Sequence, residues 1–343
     1  MLGSRIGTPT DGHARRRTAG VGREAAALSA IIALTLLARI AMPSETGPLP
    51  DFDAKWDYDH PDSTEAAFRA ILPAARASGN RDYLAQLLTQ IARTEGLQMK
   101  FDDATRTLDE AESLLTGETK VARARLLLER GRVLNSSKRR EESKPLFRSA
   151  WDLAREAHAD GFAVDAAHML GIVEPGDSSV AWNRTAIDYA EKSTDPKARH
   201  WLGSLYNNLG WTYHDKGEYE TALDLFRKAL REREAEGKKP PIRIANWCIA
   251  RTLRSLGRTE ESLAIQERLL ADLTAEGGED GYVHEELAEC LLALGRDAEA
   301  KPHFAAAYRS LSTDEWLKRD EPDRLERLRR LGGVEAERAP AGR

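Results

Sequence analysis

Cysteine is nearly absent. Two residues, Cys248 and Cys290, in a chain of 343 exclude a disulfide-stapled fold. Both lie in stretches that read as helices, where a lone thiol behaves as a small buried apolar side chain. A charge excess of either sign is also missing. The 51 basic and 56 acidic residues are interspersed and give a net charge of −5, which excludes a broad electrostatic surface for nucleic acid. No GxxxxGKS/T phosphate loop, no GxGxxG after a strand and no GxSxG elbow occurs, and no segment alternates convincingly as a strand. His284-Glu285 begins like HExxH, but Ala288 stands where the second zinc ligand belongs, and the eight histidines show no ligand spacing. Glu285, Glu286 and Glu289 read as a solvated helix face rather than an acid–base pair. The expectation is no enzyme, no metal and no cofactor.

Long apolar runs are scarce too. One stretch of 14 residues, Ala25 to Ala38, follows a polar, basic leader that includes Arg15, Arg16, Arg17 and Arg23. That layout fits a secretory signal and is short of the roughly 20 residues of a membrane span. Extension past Arg39 to Met42 gives a marginal anchor. The chain is therefore expected to be exported or membrane-anchored through residues 25–42, with a cytoplasmic protein carrying an amphipathic leader as the alternative. Residues 1–43 form this leader and signal or anchor. Residues 44–62 form an acidic linker with Phe52, Trp56 and Tyr58, either a cap over the first repeat or a tail that docks its aromatics in a groove. A capping helix follows at 63–80, with Ser63 as its N-cap and Pro73 expected to kink or end it.

What is present in abundance is helical periodicity. In Trp201–Leu230, Leu202, Leu205, Tyr206, Leu209 and Tyr213 make one apolar stripe, and Tyr219, Ala222, Leu223, Phe226, Ala229 and Leu230 make a second. Gly217 ends the first helix. Gly210 sits inside it, at a cost of about 1 kcal/mol against alanine, and so marks a close helix contact. Small residues recur at Ala92, Gly131, Gly171, Gly210, Ala250 and Ala288, spaced by 39, 40, 39, 40 and 38. Twelve, sixteen and nineteen positions after each comes a second set, small–large–small in most units. Examples are Ala104, Leu108 and Ala111, then Ala222, Phe226 and Ala229, then Ala300, Phe304 and Ala307. Asn183 and Gln266 depart from it. Pro145 and Pro302 both fall 14 positions after their anchors, near the first turn of a second helix. A register of this kind marks an array in which each unit buries its face on the next.

On these residues the chain resembles the tetratricopeptide repeat (TPR) family. The match is closest in Tyr206, Leu209, Gly210, Tyr213, Ala222, Phe226 and Ala229, and the period is nearer 40 than the usual 34 or so. The resemblance implies an all-α solenoid of about six helix-turn-helix repeats over residues 83–311. Capping helices stand at both ends, the second at 312–333, and a disordered tail occupies 334–343. It also implies a concave groove lined by the first helices. Counted from the anchors, that face carries Gln90 and Arg93, Glu129, Arg132 and Asn135, and His168 and Met169. It continues with Asn207, Asn208, Trp211 and His214, Trp247, Arg251 and Arg254, and Tyr282, Glu285, Glu286 and Glu289. Asparagine amides can bond a peptide backbone as donor and acceptor, arginines can take carboxylates, and tryptophans are strong interface anchors. The expected function is a protein-interaction scaffold for a peptide or partner helix; the alternative is a ligand-responsive regulatory sensor acting through a partner protein.

Overall fold

The computed structural model describes residues 48–335. The expectations placed on residues 1–47, and on all but the first two residues of the tail, lie outside the described residues. The fold is all-α, and no strand occurs among the described residues. From Asp51 onward the helices form one unit.

A 3-10 turn at Asp53–Lys55 precedes α1 (Pro61–Ala77). Helix pairs then follow: α2 (Arg81–Leu97) with α3 (Phe101–Ser113), α4 (Lys120–Ser136) with α5 (Arg140–Glu156), and α6 (Asp160–Val173) with α7 (Gly176–Lys192). A short α8 (Pro196–Arg199) intervenes. The remaining pairs are α9 (Leu202–Asp215) with α10 (Tyr219–Glu236), α11 (Lys239–Ser255) with α12 (Thr259–Ala275), and α13 (Gly281–Ala293) with α14 (Asp297–Leu311). The C-terminal helices are α15 (Glu315–Asp320) and α16 (Pro322–Gly332), the second packed on α14. Each first helix packs on its own second helix and on the second helix of the preceding pair.

The small anchors do what close packing demands. A Cβ on Gly210 would stand 2.7 Å from the Phe226 ring, and one on Gly131 would stand 2.5 Å from the Phe147 ring. Phe147, Phe226 and Phe304 are essentially without exposed surface. In the third pair the ring is replaced by the amide of Asn183, 2.7 Å from a Cβ on Gly171, which donates to the Ser179 carbonyl at 2.9 Å. The apolar core runs as clusters from Phe52 to Val133, from Ala124 to Leu253 and from Leu263 to Leu328. At the boundary between the last two lie Ser262 and Gln266, both fully buried. Ser262 donates to the Ala250 carbonyl at 2.7 Å. Neither atom of the Gln266 amide meets a partner among the described residues.

The backbone repeats as faithfully as the side chains. Seven positions after their anchors, Met99, Lys138, Gly217, Gly257 and Gly295 all take positive φ; twenty-seven after, His158, Gly237 and Gly277 do the same. These left-handed residues close the helix ends. The third unit breaks the pattern: α6 ends at Val173 and the chain turns early through Glu174, Pro175 and Gly176 (φ 52°).

Several expectations are corrected. An exported or membrane-anchored protein is not supported: among the described residues no helix is long and apolar enough to cross a membrane, while segment 25–42 itself lies outside them. Helix α1 starts at Pro61 rather than at Ser63, because proline presets the first helical φ and needs no N–H there. Pro73 neither ends nor breaks α1, which continues to Ala77 with the proline ring exposed. Pro145 and Pro302 stand in the second helical turn, since α5 and α14 begin earlier, at Arg140 and Asp297. Glu285 and Glu286 are buried and Glu289 is partly so, because α16 delivers Arg324 and Arg327 to Glu285 and Glu289, and α11 delivers Arg251 and Arg254 to Glu286.

Candidate functional site

The first-helix face is built from α2, α4, α6, α9, α11 and α13. Arginine on one helix meets a carboxylate on the next. Arg93 in α2 donates to both Glu129 oxygens in α4 at 3.2 Å. Arg132 bonds Glu129 at 2.8 Å and also pairs with Asp165 in α6. Further along, Arg254 grips Glu286 with two hydrogen bonds of 2.8 and 2.9 Å, and Arg251 approaches the same carboxylate at 3.0 Å. Arg324 donates to Glu285 at 2.8 Å, and Arg327 pairs with Glu289. Burial pushes the Glu285 carboxyl above its usual range despite the Arg324 guanidinium.

Helix α9, in the middle, takes no part in these ion pairs. Trp211 lies 5.2 Å from Phe226, 5.0 Å from His214 and 6.0 Å from Trp247, ring to ring. Trp247 donates its indole N–H to the Tyr282 carbonyl at 3.1 Å. Asn207 accepts weakly from the Cys248 thiol at 3.5 Å, and burial pushes that thiol up to about 12. His214 and Arg251 converge on the Ser255 hydroxyl at 3.0 and 2.7 Å. The Asn208 side chain is partly exposed and makes no hydrogen bond to another described residue. The predicted site residues thus separate into two kinds. Arg93, Arg132, Arg251 and Arg254 brace one helix against the next; Asn207, Asn208, Trp211, His214 and Trp247 gather in one patch. Met169, expected on this face, is buried in the core.

His168 lies on α6, its ring 5.2 Å from Trp201 and its Nδ1 without a partner among the described residues. Burial holds its imidazole down to about 4, with Asp165 pulling it up and Arg132 pushing it down. The unfolded chain takes up this proton near 6.5, so between pH 6.5 and about 4 it binds more protons than the folded chain, and stability falls on acidification. From pH 7.5 to 5 the wild type should lose about 2 kcal/mol more than His168→Leu, the logarithmic difference between those two binding curves. Parallel losses in urea titrations of the two proteins would refute this.

Counting from the anchors missed a second group. The N-terminal segment crosses the first-helix face at its α2–α4 end. Phe52 is buried against Phe68 and Tyr83, with ring centroids 6.3 and 5.1 Å away. Trp56 donates its indole N–H to the Gln90 side chain at 2.9 Å. Asp53 pairs with the buried Arg125 of α4, whose Nη1 lies 3.1 Å from the carboxylate. The aromatics cover α2, and Asp53 reaches Arg125 on α4. Arg125 stands six positions before Gly131, about one and two-thirds helical turns toward the N-terminus; the same count carried further back along α4 would have found it.

The family model for the tetratricopeptide repeat matches residues 204–234, that is, most of α9 and of α10. Among solved structures, the chain is similar to a Signal Transduction ATPase with Numerous Domains protein with a tetratricopeptide repeat sensor, PH0952 from Pyrococcus horikoshii. Identity is 12%, the TM-score 0.62, and the likeness covers 78% of this chain and 42% of that one. The chain therefore spans less than half the length of PH0952. It is also similar to the apo form of RapI, with 13% identity, a TM-score of 0.63, and 82% and 81% of the two chains covered. A Rap protein complexed with competence and sporulation factor gives 16%, 0.51, 81% and 78%. At these identities the likeness is one of fold. No curated protein matches the chain.

Proposed function

We propose that this chain, a tetratricopeptide repeat protein by its register, its fold and the matched repeat at α9–α10, is a non-enzymatic protein-interaction scaffold. Its partner is a peptide or helix bound on the first-helix face at the centre of the array. The observation that carries this reading is the contrast along that face. Arginines and carboxylates satisfy one another on both sides, while α9 presents an uncommitted amide, Asn208, beside the Trp211–Trp247 aromatics. An extended peptide offers what that patch needs: a backbone N–H and C=O for the amide, and an apolar side chain for the indoles. Arg251 and Arg254 support the patch from α11 rather than meeting the ligand, since Glu286 already holds both.

The test uses a peptide selected from a random display library on the full chain. Asn208→Ala should weaken that peptide about tenfold, as expected for losing one or two backbone hydrogen bonds at roughly 1 kcal/mol each. Its thermal unfolding should not change. Undiminished binding by Asn208→Ala and by Trp211→Ala would sink the siting. A sensor is the second reading, favoured by the fold likeness to PH0952, a protein with a tetratricopeptide repeat sensor. A thermal shift with small metabolites and none with peptides would favour it.

A further inference from the structure

Arg125 differs from the other arginines that stand on or reach the first-helix face. Arg93, Arg132, Arg251, Arg254, Arg324 and Arg327 each take a carboxylate from another helix. Arg125 takes its carboxylate from the N-terminal segment, through Asp53. Arg125 is 5% exposed, and its guanidinium also reaches the Gln86 side chain at 3.5 Å. Its flat faces are covered by aromatic rings, Phe52 at 5.1 Å from the segment and Phe162 at 5.3 Å from α6. Three positions after Asp53, Trp56 is held through its indole N–H by Gln90, and the Arg93 guanidinium lies over Trp56 and Tyr58 at 5.8 and 5.5 Å.

This is the chemistry of a peptide-recognition site with a peptide in it. A buried guanidinium sets the acid, a buried amide sets the indole, and a second guanidinium covers the aromatic faces. The occupant carries little regular structure: one 3-10 turn, with Asp51, Asp57, Tyr58 and Asp59 exposed. A buried cation that loses its counter-ion is costly, so whatever leaves this place must be replaced by another carboxylate. Resting on the peptide-scaffold reading above, we propose that the α2–α4 end of the first-helix face is a recognition site for acidic peptides bearing an acid three residues before an aromatic. Asp53–Trp56 is its resident occupant. Tethering gives that occupant a high local concentration, so a partner of the same sequence competes poorly unless the resident is weakened. The acid is held by Arg125 of α4, and the aromatic by Gln90 and Arg93 of α2.

The experiment uses the full chain and a fluorescent peptide of residues 51–59, DFDAKWDYD, as probe. Two opened variants, Asp53→Ala and Asp53→Ala with Trp56→Ala, weaken the resident while leaving α2 and α4 intact. The first removes only a half-exposed acid, and it serves should the second fail to fold. Each should bind the probe at least tenfold more tightly than the wild type. A probe with asparagine in place of its Asp53 equivalent should lose that gain, as should Arg125→Gln added to either opened variant. Equal binding by wild-type and opened chains would overturn the assignment, as would a gain that survives Arg125→Gln. Probe binding abolished by Asn208→Ala but untouched by Arg125→Gln would refute this site and leave the central one standing. Loss of the display-selected peptide's site with the Arg125 result intact would do the reverse.

Discussion

Phe226→Ala is expected to destabilise the protein by about 3–5 kcal/mol, the cost of emptying a fully packed ring site. The ring has no exposed surface and fills the space that the missing side chain of Gly210 leaves between α9 and α10. Trp211 also leans on it from the first-helix face, so the cavity would open beneath the proposed peptide patch. The complementary change, Gly210→Ala, places a methyl 2.7 Å from the same ring and should cost about 1–3 kcal/mol through overpacking. Position matters as much as chemistry. In an array each unit is coupled chiefly to its neighbours, so a lesion in the fourth unit should separate the melting of the two ends. The same change at Phe304 should only loosen the C-terminus. Far-UV circular dichroism in a urea series checks this. An unchanged midpoint and a single sharp transition in Phe226→Ala would show that the repeated ring is not what joins the pairs.

Gln266→Leu is expected to raise stability by about 1–3 kcal/mol, the desolvation cost of a buried polar group that finds no partner. Gln266 occupies the position held by Phe147, Phe226 and Phe304 in other units and by Leu108 in the first, and both atoms of its amide are buried without a bond. Three apolar clusters meet around this helix without merging. An aliphatic side chain should remove the penalty and also join the clusters, which sharpens unfolding as well as shifting it. Gln266→Ala separates the two effects: it removes the amide but leaves a hole, so it should give no comparable gain. A midpoint lowered by Gln266→Leu would mean that the amide is satisfied in solution and belongs to a polar network.

How far the sequence revealed this molecule depended on how local each cause was. The pairing of Gly131 with Phe147 and of Gly210 with Phe226 was legible because a close helix crossing requires a missing Cβ on one side and a filling ring on the other, at a fixed offset. The partners of the arginines were not. Arg132 meets Asp165, Arg254 meets Glu286 and Glu285 meets Arg324, each across more than 30 positions, and a list of charges does not say which of several nearby acids a long side chain will reach. For the same reason Glu285, Glu286 and Glu289 read as solvated, although arginines of α16 meet the first and last and arginines of α11 meet Glu286. Pro61 outranked Ser63 as a helix start through its fixed φ, which a search for capping side chains overlooks. The segment around Asp53 showed its composition but no period, so neither its path nor its hold on Arg125 could be read.

The left-handed joints have a consequence for where the array yields first. Met99, Lys138 and His158 carry side chains in a conformation that glycine occupies at the matching joints in the C-terminal half. Each such residue stores a torsional load on the order of 1 kcal/mol. All three joints bound the first two helix pairs, the pairs that also seat Asp53 and Trp56. The load is therefore not spread evenly along the chain. It is concentrated at the end where an occupant must be exchanged, so the helices that grip the resident segment are also the ones whose hinges are under tension.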